Sequence, residues 1–392
     1  MDYETPLFYR VMEYARAADR DVIDLVSGSP DWGPPAAVRD GLREYADMDQ
    51  SAFDYGPSAG LPPLRQQIAD HHGVSIERVV VTNGTGEANH LAMATGLERF
   101  PGNEVVLTDP VYPYYAGRTN LLDAESTFVP AEADDRLDPA SLRATVSAAT
   151  SVIVVNTPNN PTGAVYDGSA MGEFVDVARA NDALLVSDEV YDRFDYSGRF
   201  TSALEADSTR SVDNVVVTSA FSKSMAITGA RVGYGLFPAG DTENAGGSVE
   251  AAAGNPPDES FVDRVRSRHM LTNVTGSRPV QYAVSRAIEE TPASYYERNR
   301  QRMADRIDRF CNALDALGAQ YHRPDGAFYV LADLPGIGGS LEDAFGLIDE
   351  AGVAAMPGEA FGQARADHLR FSLLTPRYEA AIERIADALD GR

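Results

Sequence analysis

In Val215-Val216-Val217-Thr218-Ser219-Ala220-Phe221-Ser222-Lys223-Ser224-Met225-Ala226-Ile227-Thr228-Gly229-Ala230-Arg231, a β-branched run gives way to small residues around one lysine. Side chains of a strand alternate between its faces, so consecutive valines describe a strand buried on both sides. Lys223 then emerges just past the strand's carboxyl end. It is the chain's one lysine; every other cation among the 33 Lys+Arg is arginine. General replacement of lysine by arginine explains the absence elsewhere but not the survivor. Arginine does not lose its proton in a protein, and only lysine forms a Schiff base, so Lys223 is a candidate nucleophile. Arg231 follows close behind with small residues between, where it could clamp a phosphate. A neighbouring cation and partial burial both lower an amine's pKa toward nucleophilic use.

Runs of the same kind occur at 79–82, 104–107, 151–155 and 184–187, alternating with helical patterns between about residues 55 and 237. They describe an α/β fold: a doubly wound, mostly parallel sheet with helices on both faces. Ligands of such sheets bind beyond the carboxyl ends of the strands. Asn83-Gly84-Thr85-Gly86-Glu87-Ala88 follows the first run and opens a helix, where glycines let backbone N–H groups approach an anion. Such turns carry glycine more often without a ligand than with one, and the third glycine of the dinucleotide fingerprint is missing. Asn156-Thr157-Pro158-Asn159-Asn160-Pro161-Thr162-Gly163 is a turn in its own right, yet it puts the Asn160 amide at a strand end. Ser187-Asp188-Glu189-Val190-Tyr191 puts Asp188 at the sheet's edge with Tyr191 just beyond; a helix N-cap is the ordinary role for such an Asp. In His368-Leu369-Arg370-Phe371-Ser372 an arginine interrupts an apolar strand. Partly buried, it needs an anion, which a substrate carboxylate could supply.

Residues 239–258 are Gly, Ala, Asn, Pro and acid, with Val249 the only sizeable apolar side chain; they read as a mobile surface insertion. Met303, Ile307, Phe310, Leu314 and Leu317 then stripe a long helix closed by Gly318. Beyond it we expect a strand at 327–332, a helix near 341–351, strands near 353–356 and at 368–373, and a last helix from 377. These form a smaller α/β domain. The expected division is 1–42 as an N-terminal segment completing the small domain, 43–275 as the large cofactor-binding domain, and 276–392 as interdomain helix and small domain.

With 392 residues, 44% of them hydrophobic, about two packed domains are expected. The 59 acids against 33 bases leave a net charge of −26. Such a surface repels nucleic acid and anionic lipid, and is expected of a protein adapted to high salt, where ions screen its self-repulsion. No apolar stretch approaches a bilayer span, and Met1-Asp2-Tyr3-Glu4-Thr5-Pro6 lacks the features of a signal peptide; we expect a soluble, cytoplasmic protein. The single cysteine, Cys311, excludes an internal disulfide or a cysteine-cluster metal site and reads as core packing.

The ordered set of these stations resembles the class I/II aminotransferases, pyridoxal-phosphate enzymes of the aspartate aminotransferase fold (fold type I). The resemblance begins at Gly28-Ser29-Pro30-Asp31-Trp32 and Tyr55-Gly56-Pro57, and continues through Asp325-Gly326-Ala327-Phe328-Tyr329 and Met356-Pro357-Gly358 to the Arg370 strand. It implies that Lys223 carries pyridoxal 5'-phosphate covalently and, once released, serves as the base. It implies further that Asp188 pairs with the ring nitrogen, that Tyr191 and Asn160 bond the ring's phenolic oxygen, and that Tyr112 stacks on the ring. Thr85, Gly86, Ser222 and Arg231 would hold the phosphate. Arg370 would take the substrate α-carboxylate, helped by Asn160 and the backbone at Gly28. Tyr55 would reach the cofactor of a neighbouring subunit, which implies a homodimer.

Two departures stand out. A hydroxyl often found three residues before the lysine is Ala220 here, with Ser219 or Ser222 as substitutes, and Ala230 precedes Arg231 where the family has tryptophan. The implied reaction moves an amino group from an L-amino acid to a 2-oxo acid. A carbon–sulfur β-lyase or a decarboxylase on the same fold is the alternative; a retained α-carboxylate at Arg370 counts against decarboxylation. A DNA-binding regulator is opposed by the charge. For the substrate side chain, Arg278 or Arg10 would suit a second carboxylate, and Trp32, Tyr9 or Tyr112 an aromatic ring.

Overall fold

The computed structural model describes residues 6–206, 213–238 and 260–391. The expected insertion at 239–258 lies outside them. A seven-stranded sheet runs in the order Val79–Thr82, Gly233–Leu236, Val215–Ala220, Leu184–Asp188, Thr150–Asn156, Glu104–Asp109, Glu125–Pro130. Only Gly233–Leu236 is antiparallel to its neighbours. The apolar runs have their reason in two separate cores. Val79, Val81, Ile153, Val155, Leu185, Val215 and Val217 pack on one face, among Leu64, Phe174 and Val284 from covering helices. Val80, Val152, Val154, Leu184, Val186 and Val216 pack on the other, against Leu91 and Met93 of the helix Thr85–Arg99. Helices Ala36–Ala46 and Arg278–Glu290 also join the first of these cores, through Ala37, Val38, Ala283 and Ala287.

Two strands left no apolar run. Glu125–Pro130 is the sheet's edge and half-exposed. Gly233-Tyr234-Gly235-Leu236 alternates with glycine because its backbone lies against the Gly84 turn: a Cβ on Gly233 would come within 2.7 Å of Gly84 C.

A third core unites the chain's two ends. Val11 of helix Leu7–Ala17 packs with Ile307, Phe310 and Leu314 of helix Ala293–Ala316, and with Ile348 and Ile385 of the last two helices. Its four-stranded antiparallel sheet has the order Met356–Pro357, Leu369–Ser372, Tyr329–Asp333, Gln320–Tyr321. A short parallel pair, Ile23–Asp24 with Val353–Ala354, joins the N-terminal segment to it. Helix Leu341–Ala351 starts on a capping box between Ser340 and Asp343. Cys311 is buried in this core. Among the described residues no helix is long and apolar enough to cross a membrane.

The large sheet's register aligns its carboxyl ends, with Asn156 opposite Asp188 and Asp188 opposite Thr218. Those ends face the four-stranded sheet across a cavity.

Candidate active site

The cavity measures about 370 Å³ and draws on both sheets. Lys223 reaches it because the strand Val215–Ala220 turns directly into one helical turn, Phe221–Ser224. Its Nζ donates to the Gly28 carbonyl at 2.5 Å. A side chain at residue 28 would displace it, since a Cβ there would lie 3.2 Å from Nζ and 2.9 Å from the Tyr329 hydroxyl. Removal from bulk water lowers the amine's pKa; Arg370 and Arg231 add to this, while Tyr329 and Asp188 oppose it.

Asp188 closes the strand Leu184–Asp188 and is buried. Its Oδ2 accepts from Asn89 Nδ2 and from the Tyr115 hydroxyl, each at 2.7 Å. Asn89 is itself oriented by Thr218, whose Oγ1 donates to Asn89 Oδ1 at 2.7 Å. Burial raises the Asp188 pKa, and the bonds from Tyr115 and Asn89 work against that rise. Tyr191 is buried beside it, its hydroxyl 3.0 Å from that of Tyr329.

Arg370 is 5% exposed. It donates to Asn160 Oδ1 at 3.0 Å and to the Val26 carbonyl at 2.7 Å. Its guanidinium lies over the rings of Tyr329 and Phe361, 4.4 and 5.1 Å from their centroids. Its Nε is buried without a partner.

At the other end, Thr85 and Gly86 open the helix Thr85–Arg99. Gly84 has φ +75°, and a Cβ on it would lie 2.3 Å from Arg231 Nη2. Arg231 donates to the carbonyls of Asn83 and Thr228, each at 3.0 Å, so its guanidinium is held over the helix start. Ser222 and Tyr112 also line the cavity. Ser219 does not: it and Ala220 line a separate space of about 140 Å³ behind the strand. Of the two serines considered as substitutes for the absent hydroxyl, only Ser222 is on the cavity side.

The structure therefore gathers Gly28, Thr85, Gly86, Tyr112, Asn160, Asp188, Tyr191, Ser222, Lys223, Arg231 and Arg370 around one space. Tyr55 is elsewhere. It is 84% exposed, in a surface depression with Phe53 and Arg278. Arg278 is tied to the carbonyls of Ser51 and Asp54, and Arg10 is exposed. Trp32 packs near Phe194, ring centroids 6.2 Å apart, and does not line the cavity, nor does Tyr9. Asn89, Tyr115, Thr218, Tyr329 and Arg118 are the site residues that sequence reading missed. Tyr329 stood in a quoted motif; for Asn89 the only signal is an amide on an otherwise apolar helix face.

The donor set fits pyridoxal 5'-phosphate. Asp188 is a buried carboxylate with no cationic hydrogen-bond partner among the described residues, as a protonated ring nitrogen would require. Arg231 and the start of helix Thr85–Arg99 line the same cavity, where they could hold a phosphate together. An amine of lowered pKa stands between these two ends.

Comparison with known proteins points the same way. The family described as aminotransferase class I and II matches residues 20–389. Aspartate aminotransferase of Pyrococcus horikoshii is 29% identical, over 95% of this chain and 91% of that protein. Aspartate/prephenate aminotransferase of Thermus thermophilus is 31% identical, over 94% and 91%. The solved structure of Thermus thermophilus aspartate aminotransferase with maleate superposes with a TM-score of 0.86 at 28% identity, covering 98% of this chain and 97% of that one. A lone lysine at a parallel sheet's edge, a buried carboxylate awaiting a cation and a match spanning both sheets have one common explanation: the chain belongs to the class I and II aminotransferases, pyridoxal-phosphate-dependent enzymes of the aspartate aminotransferase fold.

Proposed function

We propose that this aminotransferase moves the amino group of an L-amino acid to a 2-oxo acid with Lys223 as its proton carrier, and that it works as a cytoplasmic homodimer. One observation carries the reading: the only lysine shares one cavity with Asp188, a buried carboxylate, and with Arg370, whose Nε has no partner among the described residues. When bound, the cofactor supplies an electron sink conjugated to the substrate's α-carbon. Arg370 and Asn160 bind the α-carboxylate and so turn the amino end toward Lys223. Asp188, braced by Asn89 and Tyr115, holds a proton on the cofactor's ring nitrogen. Tyr191 and Asn160 donate to the phenolic oxygen, and Tyr112 covers the ring face. Thr85, Gly86, Ser222 and Arg231 hold the phosphate. Lys223 Nζ, whose pKa burial lowers from that of an exposed lysine, takes the proton from the α-carbon.

Exposed Phe53 and Tyr55, grouped around Arg278, support a subunit contact through which Tyr55 reaches a neighbouring site. Aspartate, in the names of the Pyrococcus and Thermus relatives, is the donor to test first.

The test adds single L-amino acids to cofactor-loaded protein in high salt, without a 2-oxo acid, and follows visible absorbance and products. The proposal expects loss of the yellow band with stoichiometric release of a 2-oxo acid. A persisting band with accumulating pyruvate and ammonia or sulfide would make the enzyme a β-lyase. Lys223→Ala should lower turnover by at least about a thousandfold, and full activity in that variant would remove Lys223 from the reaction.

A further inference from the structure

The cavity's charge is opposite to that of the protein. Against a net −26, its wall carries Lys223, Arg231, Arg370 and Arg118, with Asp188 the only carboxylate among the described residues. Arg231 and Arg370 have roles above, toward the phosphate and the α-carboxylate. Arg118 has none. It comes from helix Tyr114–Leu121, and its one side-chain hydrogen bond among the described residues is Nη1 to the Tyr114 carbonyl at 3.2 Å. No described carboxylate pairs with it, although the chain has 59 acids.

Its seat depends on a glycine. A Cβ on Gly86 would lie 2.9 Å from Arg118 Nη2, so a side chain at residue 86 would push the guanidinium aside. The helix start beside it is itself positive, which makes an unpaired guanidinium there costly unless an anion joins them. Tyr112 and Arg370 line the same cavity as Arg118, and both arginines act against the rise that burial imposes on the Tyr112 hydroxyl's pKa. Arg118 thus shares the space around Tyr112 with the residue that takes the α-carboxylate.

We propose that Arg118 recognises the side-chain carboxylate of a dicarboxylic amino acid and of the matching 2-oxo dicarboxylate, making it the specificity-determining residue of this site. The proposal rests on the transamination reading of the same cavity and names its substrate class. Bidentate geometry suits guanidinium to a carboxylate. A substrate without that group leaves Arg118 without a carboxylate partner, which disfavours the wrong substrate relative to the right one.

The test uses binding rather than turnover. Succinate and butanoate, unreactive and of equal length, are titrated into the cofactor-loaded wild type, Arg118→Met and Arg118→Lys, and cofactor affinity is measured for each by equilibrium titration. The wild type should prefer succinate strongly. Arg118→Met should lose that preference by on the order of 100-fold, the size of one charge-assisted pair, and Arg118→Lys should recover part of it. An unchanged preference in Arg118→Met, or none in the wild type, would overturn the proposal. So would a fall in cofactor affinity with the preference intact, which would place Arg118 on the phosphate. A preference lost in Arg118→Met from a wild type that transaminates nothing would refute the transamination reading and leave Arg118's anion recognition standing. Should Arg118→Met not fold, Arg118→Gln carries the same comparison.

Discussion

Asp188 shows how much of the site is a single-residue problem. A carboxylate taken from water needs donors or a cation, and it receives two side-chain donors, Asn89 and Tyr115, on one oxygen. Both act against the rise that burial imposes on its pKa. Removing one lets the pKa climb, so the ionised form is lost at a higher pH than in the wild type. Tyr115→Phe should therefore shift the acid limb of the pH profile for the amino-acid half-reaction upward. It should also lower the rate at neutral pH by about tenfold, typical of an outer hydrogen bond that orients a reacting group. Stopped-flow absorbance across pH checks this. An unmoved acid limb would mean that Asp188 is not the group controlling it.

At the scale of elements, the turn into helix Thr85–Arg99 and the strand Gly233–Leu236 depend on each other. Gly84 combines a left-handed φ of +75° with Arg231 2.3 Å from its missing Cβ, and Gly233 brings its backbone against Gly84. Gly84→Ala should weaken cofactor binding by at least about tenfold, since it forces the guanidinium away from the anion it serves; equilibrium titration with pyridoxal phosphate reads the change. Gly73 makes the comparison clean. It ends helix Pro62–His72 at φ +63° with open space around it. Gly73→Ala should cost about 1 kcal/mol of stability, the backbone penalty alone, and leave cofactor affinity unchanged. Equal losses of affinity in the two variants would mean that strain, not Arg231, sets the Gly84 effect.

For the whole molecule, the net −26 is a standing repulsion. Arginines relieve it locally, as where Arg377 and Arg384 both meet Asp21; exposed pairs of this kind contribute little, because water and salt screen them. Salt does the rest. Raising KCl from about 0.1 M to about 1 M shortens the Debye length from ~10 Å to ~3 Å, and the melting temperature should rise with it. Calorimetry at fixed pH decides, and a flat or falling melting temperature would mean that self-repulsion does not limit stability.

The amino-acid sequence by itself determined the doubly wound sheet, because a strand covered on both faces writes an unbroken apolar run. It also singled out the candidate nucleophile, because only one lysine exists. Helix Leu341–Ala351 and the strand carrying Arg370 were legible for the same local reason. Glu125–Pro130 was not, being an edge with one face in water, and Gly233–Leu236 was not, because its glycines answer to a neighbour's backbone. Only the tertiary structure decided that Ser222 and not Ser219 faces the cavity, that Trp32 stays outside it, and that Arg118 stands inside. Such facts depend on groups far apart in the chain, such as Asn89 and Asp188 at a separation of 99 residues, or Arg370 and Val26 at 344. Local periodicity records which face of an element is buried, whereas the chemistry of the site depends on which buried faces meet.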